Sequence, residues 1–112
     1  MLAKKFRLPG YLYPTLLKAK LALRLPLITV KVQTNDLDYC RIGAIVSTKI
    51  SSRAVVRNRL KRRLYAAVQD YFPASKPGRD FLLLPKPALI SHSFKQIQMI
   101  IKTVLTDEKD AA

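Results

Sequence analysis

Apolar residues in this chain recur at two different spacings. Ile28, Val30 and Val32 alternate with Thr29 and Lys31, the period of a half-buried strand. Val56, Leu60, Leu64, Ala67, Val68 and Tyr71 recur at i, i+4, i+8 and i+11, predicting a core-facing stripe on a helix from about Arg53 to Tyr71. Asp80-Phe81-Leu82-Leu83-Leu84 is a continuous apolar run, the pattern of a strand buried on both faces. A last helix is predicted from Ser93 to Leu105, with Phe94, Ile97, Ile101, Val104 and Leu105 inward.

Breakers and turn residues set the boundaries. Residues 1–10 read as an extended basic arm ending in the Pro9-Gly10 turn, and Pro14 opens a short helix. Pro26 closes that region. The polar run Gln33 to Asp38 is read as a turn joining the first strand to a second, Arg41 to Ser47, in a hairpin. Ser51 or Ser52 offers an N-cap to the long helix, which Pro73, Pro77 and Gly78 end. Residues 106–112 read as a frayed acidic tail. The predicted order is α-β-β-α-β-α, an α+β layer of helices on one small sheet. At 112 residues the chain suits a single domain over 1–112.

Charge narrows the function. The chain holds 21 Lys and Arg against 7 Asp and Glu, a formal net charge of +14. That excess attracts phosphate backbones or anionic surfaces. It is clustered: Arg53, Arg57, Arg59, Lys61, Arg62 and Arg63 fall in eleven positions without an acid. On a wheel of about 100° per residue, Asn58, Lys61, Arg62 and Tyr65 point away from the apolar stripe, and Arg57, Arg59 and Arg63 flank it. Like charges at i,i+4 repel by a few tenths of a kcal/mol per pair, a cost that a polyanion removes. Arginine forks bind phosphate oxygens bidentately, and Asn58 both donates and accepts. A DNA-reading helix-turn-helix is disfavoured, because strands precede Arg53.

Other chemistry is sparse. Cys40 is the sole cysteine, too few for a disulfide or a zinc cage, and suits a reducing compartment as a strand residue. His92, between two serines, reads as a loop or cap position. The acids are scattered and organise no metal ions, Asp36 and Asp38 forming a turn signal. The longest apolar stretch is broken by Arg24, Pro26 and Lys31, short of the roughly 20 residues that span a bilayer. The start lacks the apolar core of a secretory signal, and no membrane association is expected.

Arg41-Ile42-Gly43 leading to Val46-Ser47-Thr48-Lys49-Ile50, then Arg53 to Arg62, resembles the protein component of bacterial ribonuclease P. The family's mark, an Arg-Asn-Arg core with Lys-Arg following, stands as Arg57-Asn58-Arg59 and Lys61-Arg62. The resemblance implies a mixed sheet of about four strands, similar to the second domain of ribosomal protein S5, with a left-handed crossover. It also implies the role: a small protein assisting a catalytic RNA in removing the 5′ leader from precursor tRNA. Catalytic groups and Mg2+ are then expected in the RNA, with no catalytic residue, metal or cofactor on this chain and no obligate protein partner. The expected location is the bacterial cytoplasm.

Carried over by position, Arg57, Asn58, Arg59, Lys61 and Arg62 face the catalytic RNA, with Arg53 and Lys49 assisting. A leader-binding cleft is expected at Tyr13, Leu17, Thr29 and Lys31, with Tyr11 compensating for an aromatic the family has and Leu17 lacks. Thr48 replaces a lysine of the family strand, and Tyr65 stands where arginine is frequent. Ala66 stands where glutamate is frequent, and the glycine usual after the first helix is missing. The alternatives are a ribosomal or ribosome-assembly RNA-binding protein and a stand-alone nuclease.

Overall fold

The computed structural model describes residues 4–71 and 78–111, with side chains to residue 105. The order is α1 (Tyr13–Leu17), β1 (Ala22–Arg24), β2 (Ile28–Thr34), β3 (Arg41–Ala44), α2 (Ala54–Tyr71), β4 (Arg79–Pro85) and α3 (Phe94–Ala111). Pro73, Pro77, residues 1–3 of the arm and Ala112 lie outside the described residues.

β4 is the centre of the fold. The sheet order is β1-β2-β4-β3, with β4 antiparallel to β2 and parallel to β3. Its continuous apolar run serves both faces. Phe81 and Leu83 join Ile28, Val30, Val32 and Ile42 in the larger cluster, where α2 and α3 pack. Leu82 joins Leu8 and Leu16 in a second cluster under α1 on the other face.

Two expectations are corrected. β2 and β3 do not form a hairpin, because β4 lies between them. Their connection, residues 35–40, exceeds the two to five residues of a tight hairpin and spans an intervening strand at the usual spacing of about 4.8 Å. Asn35 organises it: its Oδ1 accepts from Leu37 N at 2.9 Å, and its backbone N–H donates to Gly78 O at 3.1 Å. A Cβ on Gly78 would collide with Asn35 Oδ1 and the Leu37 carbonyl, so the close approach needs glycine.

The true hairpin is β1–β2, closed where Leu25 N donates to Ile28 O at 2.9 Å. β1 makes the order α-β-β-β-α-β-α. It is three residues long and lacks alternation, and Pro26 read as the end of a helical region rather than as hairpin turn.

The helix predictions hold closely. Ser51 Oγ accepts from Arg53 N at 3.2 Å, and Arg57 N donates to Arg53 O at 3.1 Å to start α2. Ser93 and Gln96 form a reciprocal capping box on α3, at 2.8 and 3.2 Å. α3 continues to Ala111, past Leu105 where the apolar periodicity ends. His92 occupies the cap position expected of it, its Nδ1 2.9 Å from Ala88 O.

Candidate nucleic-acid interface

α2 separates packing from charge along its length. Leu60, Leu64, Ala67 and Val68 are buried, while Arg53, Asn58, Arg59, Lys61 and Arg62 are exposed. Lys49 is exposed in the turn before the helix. None of Arg53, Arg59, Lys61 or Arg62 meets a carboxylate among the described residues. Arg57 is half-buried, and its Nη1 donates to Ser51 O at 3.0 Å, so part of its fork secures the helix start. Val56 is only half-buried and Tyr71 is exposed, its ring 5.9 Å from Lys102 Nζ; the stripe narrows at both ends.

Tyr65 departs from its expected outward position. It is 5% exposed. Its hydroxyl hydrogen-bonds to Tyr13 and to the backbone of Ala44. The Ile42 carbonyl accepts from Leu8 N at 2.8 Å on the side of β3 away from β4, and Ala44, two residues on, turns its amide the same way. Tyr65 therefore covers part of an open sheet edge that the arm covers at Ile42. Burial first, then the charge and hydrogen bond of Tyr13, push the Tyr65 phenol well above its ordinary range, against the opposing Ala44 amide and Arg7. A helical wheel places Tyr65 by angle alone; what buries it is a segment more than fifty positions earlier in the chain.

The arm and α1 complete the arrangement. Phe6 packs edge-on to Tyr39 with ring centroids 5.7 Å apart, and Lys5 Nζ lies 4.5 Å from the Tyr39 centroid. Tyr13 lies over Gly43, where a Cβ would come within 2.8 Å of its ring and hydroxyl. An open groove of about 650 Å³ results. Asn58, Lys61, Arg62 and Tyr65 form its α2 wall; Lys4, Arg7, Leu8, Pro9 and Tyr13 form the other. Arg59 and Arg63 lie on the opposite flank of α2 with Val56, Leu60 and Ile90. The motif Arg57 to Arg62 thus presents two flanks rather than one face. Lys4 and Arg7 belong to the basic arm, which the sequence assigned to no site because nothing local shows where an arm docks.

The expected cleft residues are less gathered. Thr29 and Lys31 lie half-buried on β2, and Lys31 Nζ donates to Ala19 O at 3.5 Å, beyond the end of α1. Leu17 and Tyr11 are exposed, Tyr11 at 78%. None of Leu17, Thr29, Lys31 and Tyr11 lines the groove that Tyr13 enters.

Two acids among the described residues have fixed partners. Asp80, 4% exposed, accepts from Arg41 Nε at 2.9 Å, Arg41 Nη2 at 2.8 Å and Asn35 Nδ2 at 2.7 Å. The hydrogen bond to Asp80 raises the Arg41 guanidinium above its ordinary value, although burial opposes it. Asp70 accepts from Gln98 Nε2 at 2.8 Å. Among the described residues no three His, Cys, Asp or Glu side chains gather as metal ligands.

A small α+β domain with a cationic helix beside a basic, aromatic-lined groove has the makings of a polyanion-binding module. The chain belongs to the ribonuclease P family, whose description matches residues 11–108. It is similar to the ribonuclease P protein component of a Cyanothece species, 37% identical over 73 residues, 65% of this chain and 56% of that one. With the component from a Nostoc species it shares 50% identity over 46 residues, 41% of this chain and 33% of the other. The chain spans about half the length of the curated relatives it matches. Its fold is that of the ribonuclease P proteins of Staphylococcus aureus (TM-score 0.80, 22% identity, 93% and 95% of the two chains covered). The Thermotoga maritima protein agrees, with a TM-score of 0.76, 22% identity and coverage of 90% and 96%.

Proposed function

We propose that this protein is the RNA-binding subunit of a ribonuclease P ribonucleoprotein, assisting a catalytic RNA in endonucleolytic removal of the 5′ leader from precursor tRNA. One observation carries the reading: in a member of this family, α2 holds the Arg57-Asn58-Arg59 and Lys61-Arg62 motif with Asn58, Arg59, Lys61 and Arg62 exposed and the cations unpaired among the described residues. Arg53 and Lys49 extend that cationic surface at the helix start. Such a surface follows a folded RNA backbone by shape and charge. The precursor leader is held on the α1 side of the sheet, around Tyr13. Phosphodiester hydrolysis, with its Mg2+, resides in the RNA partner; this chain contributes binding. The proposed setting is the bacterial cytoplasm, and no helix among the described residues is long and apolar enough to cross a membrane.

The test is reconstitution. The protein alone should leave precursor tRNA intact, and should lower the magnesium that a bacterial ribonuclease P RNA requires for cleavage. No effect on any such RNA overturns the proposal. Recovery of ribosomal RNA as the species bound in cells would favour a ribosomal role instead.

A further inference from the structure

We propose that Tyr65 is a positioning residue for substrate discrimination: it fixes the rotor of the Tyr13 hydroxyl, so that the Tyr13 proton points into the groove and is donated to a phosphate oxygen of the substrate. This rests on the ribonuclease P reading and deepens it, by giving the two phenols of α1 and α2 separate roles. Tyr13 is the donor, and Tyr65 acts only through it.

The two phenols meet over successive residues of β3. A Cβ on Gly43 would come within 2.8 Å of both the Tyr13 hydroxyl and its ring, so the Tyr13 oxygen lies against the strand at that residue. The Tyr65 hydroxyl bonds to the backbone of Ala44, one residue on, and to Tyr13. Tyr13 belongs to α1 and Tyr65 to α2, so the pair joins opposite walls of the groove.

Hydrogen-bond chemistry gives the pair a direction. The Ala44 amide is a donor, so the Tyr65 oxygen accepts from it. The Tyr65 proton then sits in a site only 5% exposed, where it needs an acceptor. Of its two partners, Tyr13 is the one with lone pairs to offer. Accepting that bond turns the proton of Tyr13 away from Tyr65 and toward the open groove. The chain runs from Ala44 N–H to Tyr65 O–H to Tyr13 O–H, each bond polarising the next. Burial keeps Tyr65 protonated at physiological pH, so the direction persists there.

The surroundings select the acceptor. Lys4, Arg7, Lys61 and Arg62 line the groove, and all four are donors only. Asn58 is the one other lining side chain able to accept. A phosphate drawn in by four cations brings oxygens to the Tyr13 proton. Because Tyr65 has already set the rotor, little ordering cost remains when that bond forms.

The experiment is a double-mutant cycle. Full-length protein is reconstituted with a bacterial ribonuclease P RNA, and the ratio of affinities for precursor and mature tRNA is measured. Tyr13→Phe keeps the ring and removes the donor; it should lower the ratio about tenfold, as for a lost hydrogen bond to a charged group. Tyr65→Phe frees the rotor and should lower it about threefold. The double variant should fall no further than Tyr13→Phe alone, because Tyr65 has nothing left to position. Mature tRNA affinity should hold within a factor of about two in every variant. A merely structural Tyr65 would weaken both tRNAs alike. That result, additive losses in the double variant, or an unchanged ratio in Tyr13→Phe would each overturn the proposal. Activation of the catalytic RNA by the wild-type protein is a separate readout, so the subunit role can stand while the positioning role falls.

Discussion

The two flanks of α2 are made in different ways. The Arg59 and Arg63 flank belongs to one helix, its side chains spaced by 3.6 residues per turn. The Asn58, Lys61 and Arg62 flank acquires its shape only where the arm, α1 and β3 meet it. The first is a local surface and the second an assembled one. A local surface tolerates change elsewhere as long as the helix forms. An assembled surface depends on contacts such as Tyr13 on Gly43 and Tyr65 on Ala44.

The largest test removes what both flanks share. Leu64 is fully buried under α2. Leu64→Ala should cost about 3 kcal/mol, in the range for a leucine truncated in a packed core. Urea unfolding followed by tyrosine fluorescence and by far-ultraviolet circular dichroism should shift together. Separate transitions would show that α2 and the arm are independent units, and the distinction between local and assembled surfaces would then be one of stability rather than of construction.

Gly43→Ala strikes only the assembled side. The added methyl meets the Tyr13 ring at 2.8 Å, and the ring cannot retreat without giving up its bond to Tyr65. Overpacking of this kind costs about 2 kcal/mol. Affinity for precursor tRNA should fall while affinity for the catalytic RNA, measured with the same folded fraction, stays within a factor of about two, under 0.5 kcal/mol. Equal loss of both would merge the two surfaces into one.

That division also explains what could be read from the chain. α2, α3 and β4 were visible because each buries a continuous stripe of its own: Leu60 and Leu64, Ile97 and Ile101, Phe81 to Leu83. The cations of α2 were visible for the same reason. β1 was hidden because three residues carry no period. The β2–β3 hairpin was misread because proximity in sequence suggested pairing, whereas the slot between them is filled by a strand beyond α2. Tyr65 was misplaced because partners distant in the chain decide where it points. Asp80 stood only at the head of an apolar run, and its three hydrogen bonds from Arg41 and Asn35 are equally long-range.

Tyr65→Phe is a smaller change at the same junction. It keeps the ring and removes the hydroxyl, leaving the Ala44 amide on a buried edge without its partner. The expected cost is about 1 kcal/mol. The same variant has a pH signature. Below pH 10 the phenol is neutral in folded and unfolded chains alike, so it contributes no pH dependence. Above the ordinary value of 10.0 the unfolded chain releases the proton while the folded chain, held higher by burial, retains it. The unfolded state then binds fewer protons, and stability falls as pH rises, by up to about 1.4 kcal/mol per unit. Wild type should lose stability between pH 10 and 11 faster than Tyr65→Phe. Parallel losses would mean that the hydroxyl is solvated.

Arg59→Ala should have the smallest effect on the fold and the clearest on binding. Arg59 is exposed on the local flank, with Arg62 and Arg63 three and four residues on. Removing it eliminates like-charge repulsion of a few tenths of a kcal/mol, so stability should hold or rise slightly, within about 0.5 kcal/mol. Binding to the catalytic RNA should nevertheless weaken, and the log-log salt slope should lose about 0.7–0.9, one phosphate contact. Discrimination between precursor and mature tRNA should not change, because Arg59 faces away from the groove. A helix face that destabilises its own protein slightly and gains only when RNA is present is selected for the partner, not for the fold. If Arg59→Ala instead lowered stability by more than about 1 kcal/mol, the local flank would be structural, and the RNA contacts would have to be sought on the assembled side alone.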